Sequence, residues 1–225
     1  MRAMILAAGR GERMRPLTDS IPKPLLEVNG KALIVYQIEA LELAGVRELV
    51  INTGHLGEQI QYELGTGSHL GVDIVYSDEG ENILETAGGI IQALPLLGDD
   101  PFIVTNADIF TDFDYSSLPE EPDYDAHLVL VDNPAHNLKG DFFLENGRVL
   151  QQGTKKLTYS GISIFHPHFF EDYNPGRAPL APLLHKAAER KCLGGQYFTG
   201  EWSDIGTPMR LKELNSSKAY KESNR

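Results

Sequence analysis

Cysteine, tryptophan and positive charge are all scarce in this chain. A single cysteine among 225 residues, Cys192, rules out an internal disulfide. No C-x-x-C pair is present to suggest a thiol couple or a zinc site. No apolar run approaches the length of a membrane span. The opening MRAMILAAG passes straight into a polar, glycine-rich loop, unlike a secretory signal. A cytoplasmic protein without a membrane partner is therefore expected. Twenty basic residues stand against 32 acidic ones, a net charge of −12, which argues against a nucleic-acid partner because that needs clustered cations. The GxxxxGK[ST] phosphate loop is missing, as are internal repeats and low-complexity linkers. The seven histidines show no metal-ligand spacing, and His55 and His136 read as structural or peripheral.

What remains is an ordinary globular composition, 41% hydrophobic and 23% charged, arranged in an ordered way. Short apolar runs at 3–8, 48–52, 72–76, 101–108 and 126–132 read as strands. Residues 31–44, 57–65 and 87–97 between them read as helices, the last started by Thr86 and disturbed by Pro95. Alternating strands and helices argue for a Rossmann-like α/β fold, a mostly parallel sheet flanked by helices. The second half differs. Asn146-Gly147 between two strand-like runs signals a β-hairpin. Residues 158–167 form another strand, 179–191 a helix, and a last helix spans about 208–220 before a tail expected to fray. The chain reads as one domain, 1–225, with an α/β part at about 1–110 and a part holding the β-hairpin at about 111–205, which the resemblance described below implies to be nucleotide-binding and sugar-binding respectively.

The densest chemistry follows the first strand, in LAAGRGERMRPLTDSIPKPL at 6–25. A dinucleotide fingerprint needs glycine at Met14 and an immediate helix, which Pro16, Pro22 and Pro24 forbid. The loop must be long, and in an open parallel sheet it lies where ligands bind. Gly9 and Gly11 let backbone N–H groups approach an anion, and Arg13 adds a permanently charged fork suited to phosphate. Ile21 and Lys23 each precede proline, which disfavours helical dihedrals, so Lys23 is expected on a stiff, extended segment. Two carboxylates stand out later. Asp108 ends the strand FIVTNAD, and Asp204 lies in W-S-D-I-G-T.

LAAGRGERMRPLT followed by PKPL resembles the signature of the sugar-1-phosphate nucleotidyltransferases, and N-A-D at 106–108 and W-S-D at 202–204 match later motifs of that family. Ala107 stands where glycine is usual, which bears on the shape of that turn. The resemblance implies transfer of a nucleotidyl group from a nucleoside triphosphate to a sugar 1-phosphate with loss of pyrophosphate. It implies Mg²⁺ on Asp108 and Asp204, and Lys23 against the α-phosphate and sugar phosphate. Arg13, with the Gly11 and Glu12 backbone, would hold pyrophosphate, and Ala8 and Gly9 would also line the nucleotide. Glu85 and Gly88 in E-T-A-G-G would face nucleobase and sugar, and Asn106 would bond a hydroxyl near the metal. Residues 131–142, VDNPAHNLKGDF, resemble the matching stretch of family members that use UTP and N-acetylmuramate 1-phosphate. That likeness implies sugar contacts from Asp141, Ser160 and Gly161. It also implies a cation for the lactyl carboxylate, among Lys139, Arg148, Lys155 and Lys156. Guanylyl- or thymidylyltransferases of the same family, or a sugar-nucleotide-binding module without turnover, remain open as alternatives. The sequence does not fix the oligomeric state.

Overall fold

The fold is taken from a computed structural model that describes residues 1–80 and 84–216. The chain opens with β1 (Arg2–Leu6), passes through a loop of three 3-10 turns, and forms a two-stranded ribbon, β2 (Glu27–Val28) and β3 (Lys31–Ala32). It continues through α1 (Leu33–Leu43), β4 (Glu48–Thr53), α2 (Gly57–Leu64), β5 (Asp73–Asp78), α3 (Glu85–Leu97), β6 (Phe102–Asn106) and β7 (Ile109–Thr111). The remainder comprises β8 (Ala126–Val131), β9 (Phe142–Glu145), β10 (Arg148–Leu150), β11 (Lys156–Phe165), α4 (Leu180–Glu189), β12 (Leu193–Tyr197), β13 (Trp202–Asp204) and α5 (Pro208–Ser216). The expected tail, and the end of the helix expected to reach about 220, lie outside the described residues.

Nine strands join one sheet in the order β5-β4-β1-β6-β11-β8-β12-β10-β9. The α/β class is as expected, but "mostly parallel" describes only part of it. The first four strands are parallel neighbours, as are β8 and β12, whereas β11 runs antiparallel to both β6 and β8. The physical reason is connectivity. The chain passes from β6 through the short β7 and re-enters the sheet as β8, one position removed from β6; after the β9–β10 hairpin it returns in the opposite direction as β11, which fills the place between β6 and β8. β9 pairs with both β10 and the start of β11, which curls the far end back on itself. At the hairpin tip, Asn146 and Gly147 both have positive φ (50° and 76°), the geometry that an Asn-Gly turn supplies.

The sheet is buried on both faces. One face carries α3 and α4 over Met4, Phe102, Val104 and the packed rings of Phe165, Phe169 and Phe170. The other carries α1 and α2 over Ile5, Ile51, Ile103 and Ile164. Central strands buried this way read as continuous apolar runs, which is why the sequence located them. A third cluster holds the loop. Met14 is fully buried against Leu26, Val28, Phe110, Ile205 and Leu211, so the residue that breaks the dinucleotide fingerprint is an anchor here.

Two local expectations change. Thr86 does not start α3: Leu84 stands at the cap position without a side-chain cap, and the helix runs on through Pro95 to Leu97. Its opening backbone groups find partners elsewhere, Leu84 N–H at Glu79 Oε2 (3.3 Å) and Gly88 N–H at the Ala178 carbonyl (3.0 Å). Lys23 is not extended either; it opens a 3-10 turn, Lys23–Leu25, after an extended Pro22. Turn bonds from Leu25 N–H to Pro22 O (2.9 Å) and Leu26 N–H to Lys23 O (3.1 Å) supply the rigidity assigned to extension.

Candidate active site

The strands β1, β4 and β6 end at one edge of the sheet, and above them lies a cleft of about 650 Å³. Its lining includes the backbone from Leu6 to Met14, Lys23, Asn52, Glu79, Glu85, Thr86, Asn106 and Asp108. Ala8, Gly9, Gly11, Glu12 and Arg13 are thus all at the cleft. Gly11 has φ +63° and sits tightly on Thr18 and Lys23, and a Cβ there would lie 2.9 Å from Thr18 Cγ2. Thr18 Oγ1 donates back to the Gly11 carbonyl (2.8 Å), closing the loop on itself. A side chain at Gly11 would therefore both strain the backbone and push the loop open.

Both carboxylates are brought together by the short ribbon of β7 and β13, in which Asp204 is paired with Ile109 and Ile205 N–H donates to the Asp108 carbonyl (2.8 Å). Each already meets basic side chains of the protein. Lys23 Nζ donates to Asp108 Oδ2. Arg210 Nη1 donates to Asp204 Oδ2 (2.6 Å), and His136 Nε2 lies 3.0 Å from Asp204 Oδ1. Neither α5 nor the 133–140 loop gave any sign in the sequence that it would reach this aspartate. His136, read from the sequence as structural or peripheral, meets Asp204 here.

The donor set is limited to hard oxygen ligands. Among the described residues no three His, Cys, Asp or Glu side chains form a cluster able to hold an ion. Two hard carboxylates beside a glycine-rich loop could serve a divalent cation that takes one or two protein carboxylates and completes its shell with other oxygen ligands.

Glu79 and Asn52 escaped the sequence reading altogether. Asn52 Oδ1 accepts from Ala7 N–H (2.7 Å), which turns Asn52 Nδ2 toward Glu79 Oε1 (2.6 Å). Burial pushes the Glu79 carboxyl above its ordinary pKa, against the opposing pull of the bonds from Asn52 and Leu84. The missing signal was long-range: both residues end ordinary strands, and only pairing of β1, β4 and β5 brings them into one buried chain.

In β11, outside the cleft lining, Gly161 has φ +86° and packs on Asn106, whose Nδ2 would be 2.5 Å from an added Cβ. Ser160 is buried, its carbonyl accepts from Trp202 Nε1 (2.9 Å), and a β-bulge interrupts the β11–β8 pairing here. Asp141 is away from the cleft lining: its two oxygens accept from Asn137 Nδ2 (3.0 Å) and Tyr159 N–H (2.9 Å), tying the 133–141 loop to β11. Gly88 is also outside the lining. It is buried under Gly176, where a Cβ would stand 2.2 Å from the carbonyl oxygen. Glu85 is at the cleft, with φ +59°, a left-handed conformation that costs a non-glycine residue on the order of 1 kcal/mol.

Known proteins resemble this chain along most of its length. Residues 2–137 match the family model described as nucleotidyl transferase. The chain is 52% identical to an N-acetylmuramate alpha-1-phosphate uridylyltransferase of Neisseria meningitidis, across 96% of this chain and 97% of the relative. It is 34% identical to a protein of the same description from Caulobacter vibrioides, across 92% of each. Among solved structures, a putative glucose-1-phosphate thymidylyltransferase from Bacillus anthracis superposes with a TM-score of 0.82 at 22% identity, covering 96% of this chain and 94% of that one, which shows a shared fold.

Proposed function

This chain belongs to the nucleotidyl transferase family, and from that premise we propose that it transfers the uridylyl group of UTP to N-acetylmuramate 1-phosphate, releasing pyrophosphate. The likeness to the Neisseria relative over nearly all of both chains carries the choice of base and sugar. The convergence of Lys23, Asp108 and the 8–14 loop on one cleft supports the chemistry.

The sugar phosphate attacks the α-phosphorus in line with the departing pyrophosphate. Its second pKa is about 6, so at neutral pH the nucleophilic oxygen is already ionised and needs no general base. Catalysis then rests on positioning and on neutralising charge. Gly9, Gly11 and the Glu12 backbone offer N–H groups to the phosphates, and Arg13 holds the departing end with its planar fork. Lys23 Nζ, placed beside Asp108, neutralises the α-phosphate and the attacking phosphate. Asp108 and Asp204 would hold Mg²⁺, which would supply charge stabilisation at the phosphate oxygens. Arg210 and His136 fix the Asp204 carboxylate between them. The nucleobase lies along Ala8 and the Asn52–Glu79 pair, with Glu85 facing both nucleobase and sugar. Asn106 meets a sugar hydroxyl, with the Ser160-Gly161 bulge forming the wall behind it.

The test is pyrophosphate release in the presence of Mg²⁺, with each nucleoside triphosphate against a panel of sugar 1-phosphates. Turnover chiefly with UTP and N-acetylmuramate 1-phosphate is the expected result. Preference for GTP and mannose 1-phosphate would overturn the substrate assignment and keep the mechanism. No turnover with any pair would overturn both.

A further inference from the structure

We propose that Arg177 is the specificity residue for an acidic sugar, receiving the substrate's carboxylate at the rim of the cleft, and that Glu85 positions it. The inference rests on the substrate reading above, because N-acetylmuramate carries a lactyl carboxylate that the loop and the aspartates do not serve. A selective site for such a sugar needs a cation beyond those that meet the phosphates.

The cations singled out in the sequence are occupied or misplaced. Arg148 Nε donates to the Tyr124 hydroxyl (2.8 Å), Lys155 Nζ to Asp132 Oδ1 (2.8 Å), and Lys156 Nζ lies 5.6 Å from the centre of the Phe143 ring. Lys139 is on an exposed stretch, and neither it nor its neighbours Leu138 and Gly140 line the cleft, whereas Arg177, itself off the lining, is bonded to Glu85 within it. Lys23 and Arg210 each already meet an aspartate.

Arg177 differs in how it is held. Its Nε and Nη2 both point at one oxygen, Glu85 Oε1, at 2.7 and 2.6 Å. A guanidinium has five N–H donors in a rigid plane. Two donors on one acceptor fix that plane and leave the Nη1 edge without a partner among the described residues. The side chain is 68% exposed, so that edge is open to an incoming ligand.

The backbone under Arg177 is fastened to the cleft wall. Ala178 N–H donates to the Leu84 carbonyl (2.9 Å), and Gly88 N–H donates to the Ala178 carbonyl (3.0 Å). Gly176 lies against Gly88 too closely for any side chain. Arg177 therefore stands between the starts of α3 and α4, next to Glu85 and Thr86 of the cleft lining. Glu85 itself holds an uncommon φ of +59°. An outlier of this kind persists where surrounding structure fixes it, and such outliers cluster at ligand sites. Here its consequence is a guanidinium presented edge-on at the rim. Carboxylate recognition by a pre-oriented arginine edge is bidentate and charge-assisted.

The experiment compares Arg177→Ala, Arg177→Lys and the natural protein, with N-acetylmuramate 1-phosphate and with the methyl ester of its lactyl group as substrates. Arg177→Ala is expected to raise the KM for the acid about tenfold, the effect of losing one charge-assisted contact at an exposed rim. The kcat should stay within about twofold and the KM for UTP should not move. The ester should show the raised KM in the natural protein and no further rise in Arg177→Ala, while Arg177→Lys recovers part of the acid's affinity. An unchanged KM for the acid, or equal rises for acid, ester and UTP, would overturn the proposal and leave a structural strap in its place. Failure of the natural protein to use N-acetylmuramate 1-phosphate at all would instead overturn the substrate reading, and this inference with it.

Discussion

At the residue scale, the decisive groups are the two aspartates and the basic side chains that hold them. Asp108 has Lys23, and Asp204 has Arg210 on one oxygen and His136 on the other. Replacing either aspartate by asparagine keeps its shape and removes the anion that would hold Mg²⁺. Asp108→Asn and Asp204→Asn should each lower kcat by on the order of 10²-fold or more, comparable with losing a preorganised charge-stabilising group. Pyrophosphate release under saturating substrates checks this, and near-natural rates in both variants would remove the metal from these residues. How much of this was legible follows from where the information lay. Lys23, Asp108 and Asp204 could be picked out because each sits in a short local motif. Asn52–Glu79, His136–Asp204 and Glu85–Arg177 could not. Each is a pairing between distant segments, and no local pattern in either segment announces the other.

At the scale of elements, the start of α3 shows how backbone fit does work that a side-chain cap was expected to do. Its N–H groups are satisfied by Glu79 and by the 174–178 segment, and Gly88 makes the second contact possible. Adding one methyl there meets Gly176 O at 2.2 Å and Ala178 N at 3.2 Å, both backbone atoms that cannot rotate away. Gly88→Ala should therefore destabilise by about 1–3 kcal/mol, the usual range for overpacking. For a chain of this length that corresponds to a fall in Tm of several degrees, at about 2–4 °C per kcal/mol, measurable by calorimetry. An unchanged Tm would mean that the segment is not fastened to α3. The same region explains why helix boundaries were less legible than helices. The apolar spacing of α3 depends on its own residues, whereas its first turn depends on a segment more than eighty residues later.

At the scale of the molecule, the two halves of the sheet were legible to different degrees for one physical reason. β1, β4 and β6 are buried on both faces and joined by crossover helices, so apolar run and helical period alternate plainly in the chain. From β8 onward the pairing is mixed, with β11 antiparallel to β6 and β8 but β12 parallel to β8, and apart from α4 the strands are joined by loops; the runs of β8 and β11, the helix α4 and the Asn146-Gly147 turn declare themselves, but which strands become neighbours is set by three-dimensional closure. Stability should be graded in the same way. β1 is hydrogen-bonded on both sides, to β4 and β6, with Ala3, Met4 and Ile5 fully buried. The β9–β10 hairpin lies at the sheet's end, with only three paired positions between its strands. Amide hydrogen exchange should accordingly be slowest in β1 and β6, whose opening requires global unfolding, and orders of magnitude faster in the hairpin. Adding UTP with Mg²⁺ should slow exchange in residues 9–14 and around Lys23, because bound phosphates take up N–H groups that otherwise face solvent. The hairpin should not respond to nucleotide alone. Protection appearing in the hairpin and not in the loop would place the nucleotide at the wrong end of the sheet, and with it the assignment of the cleft.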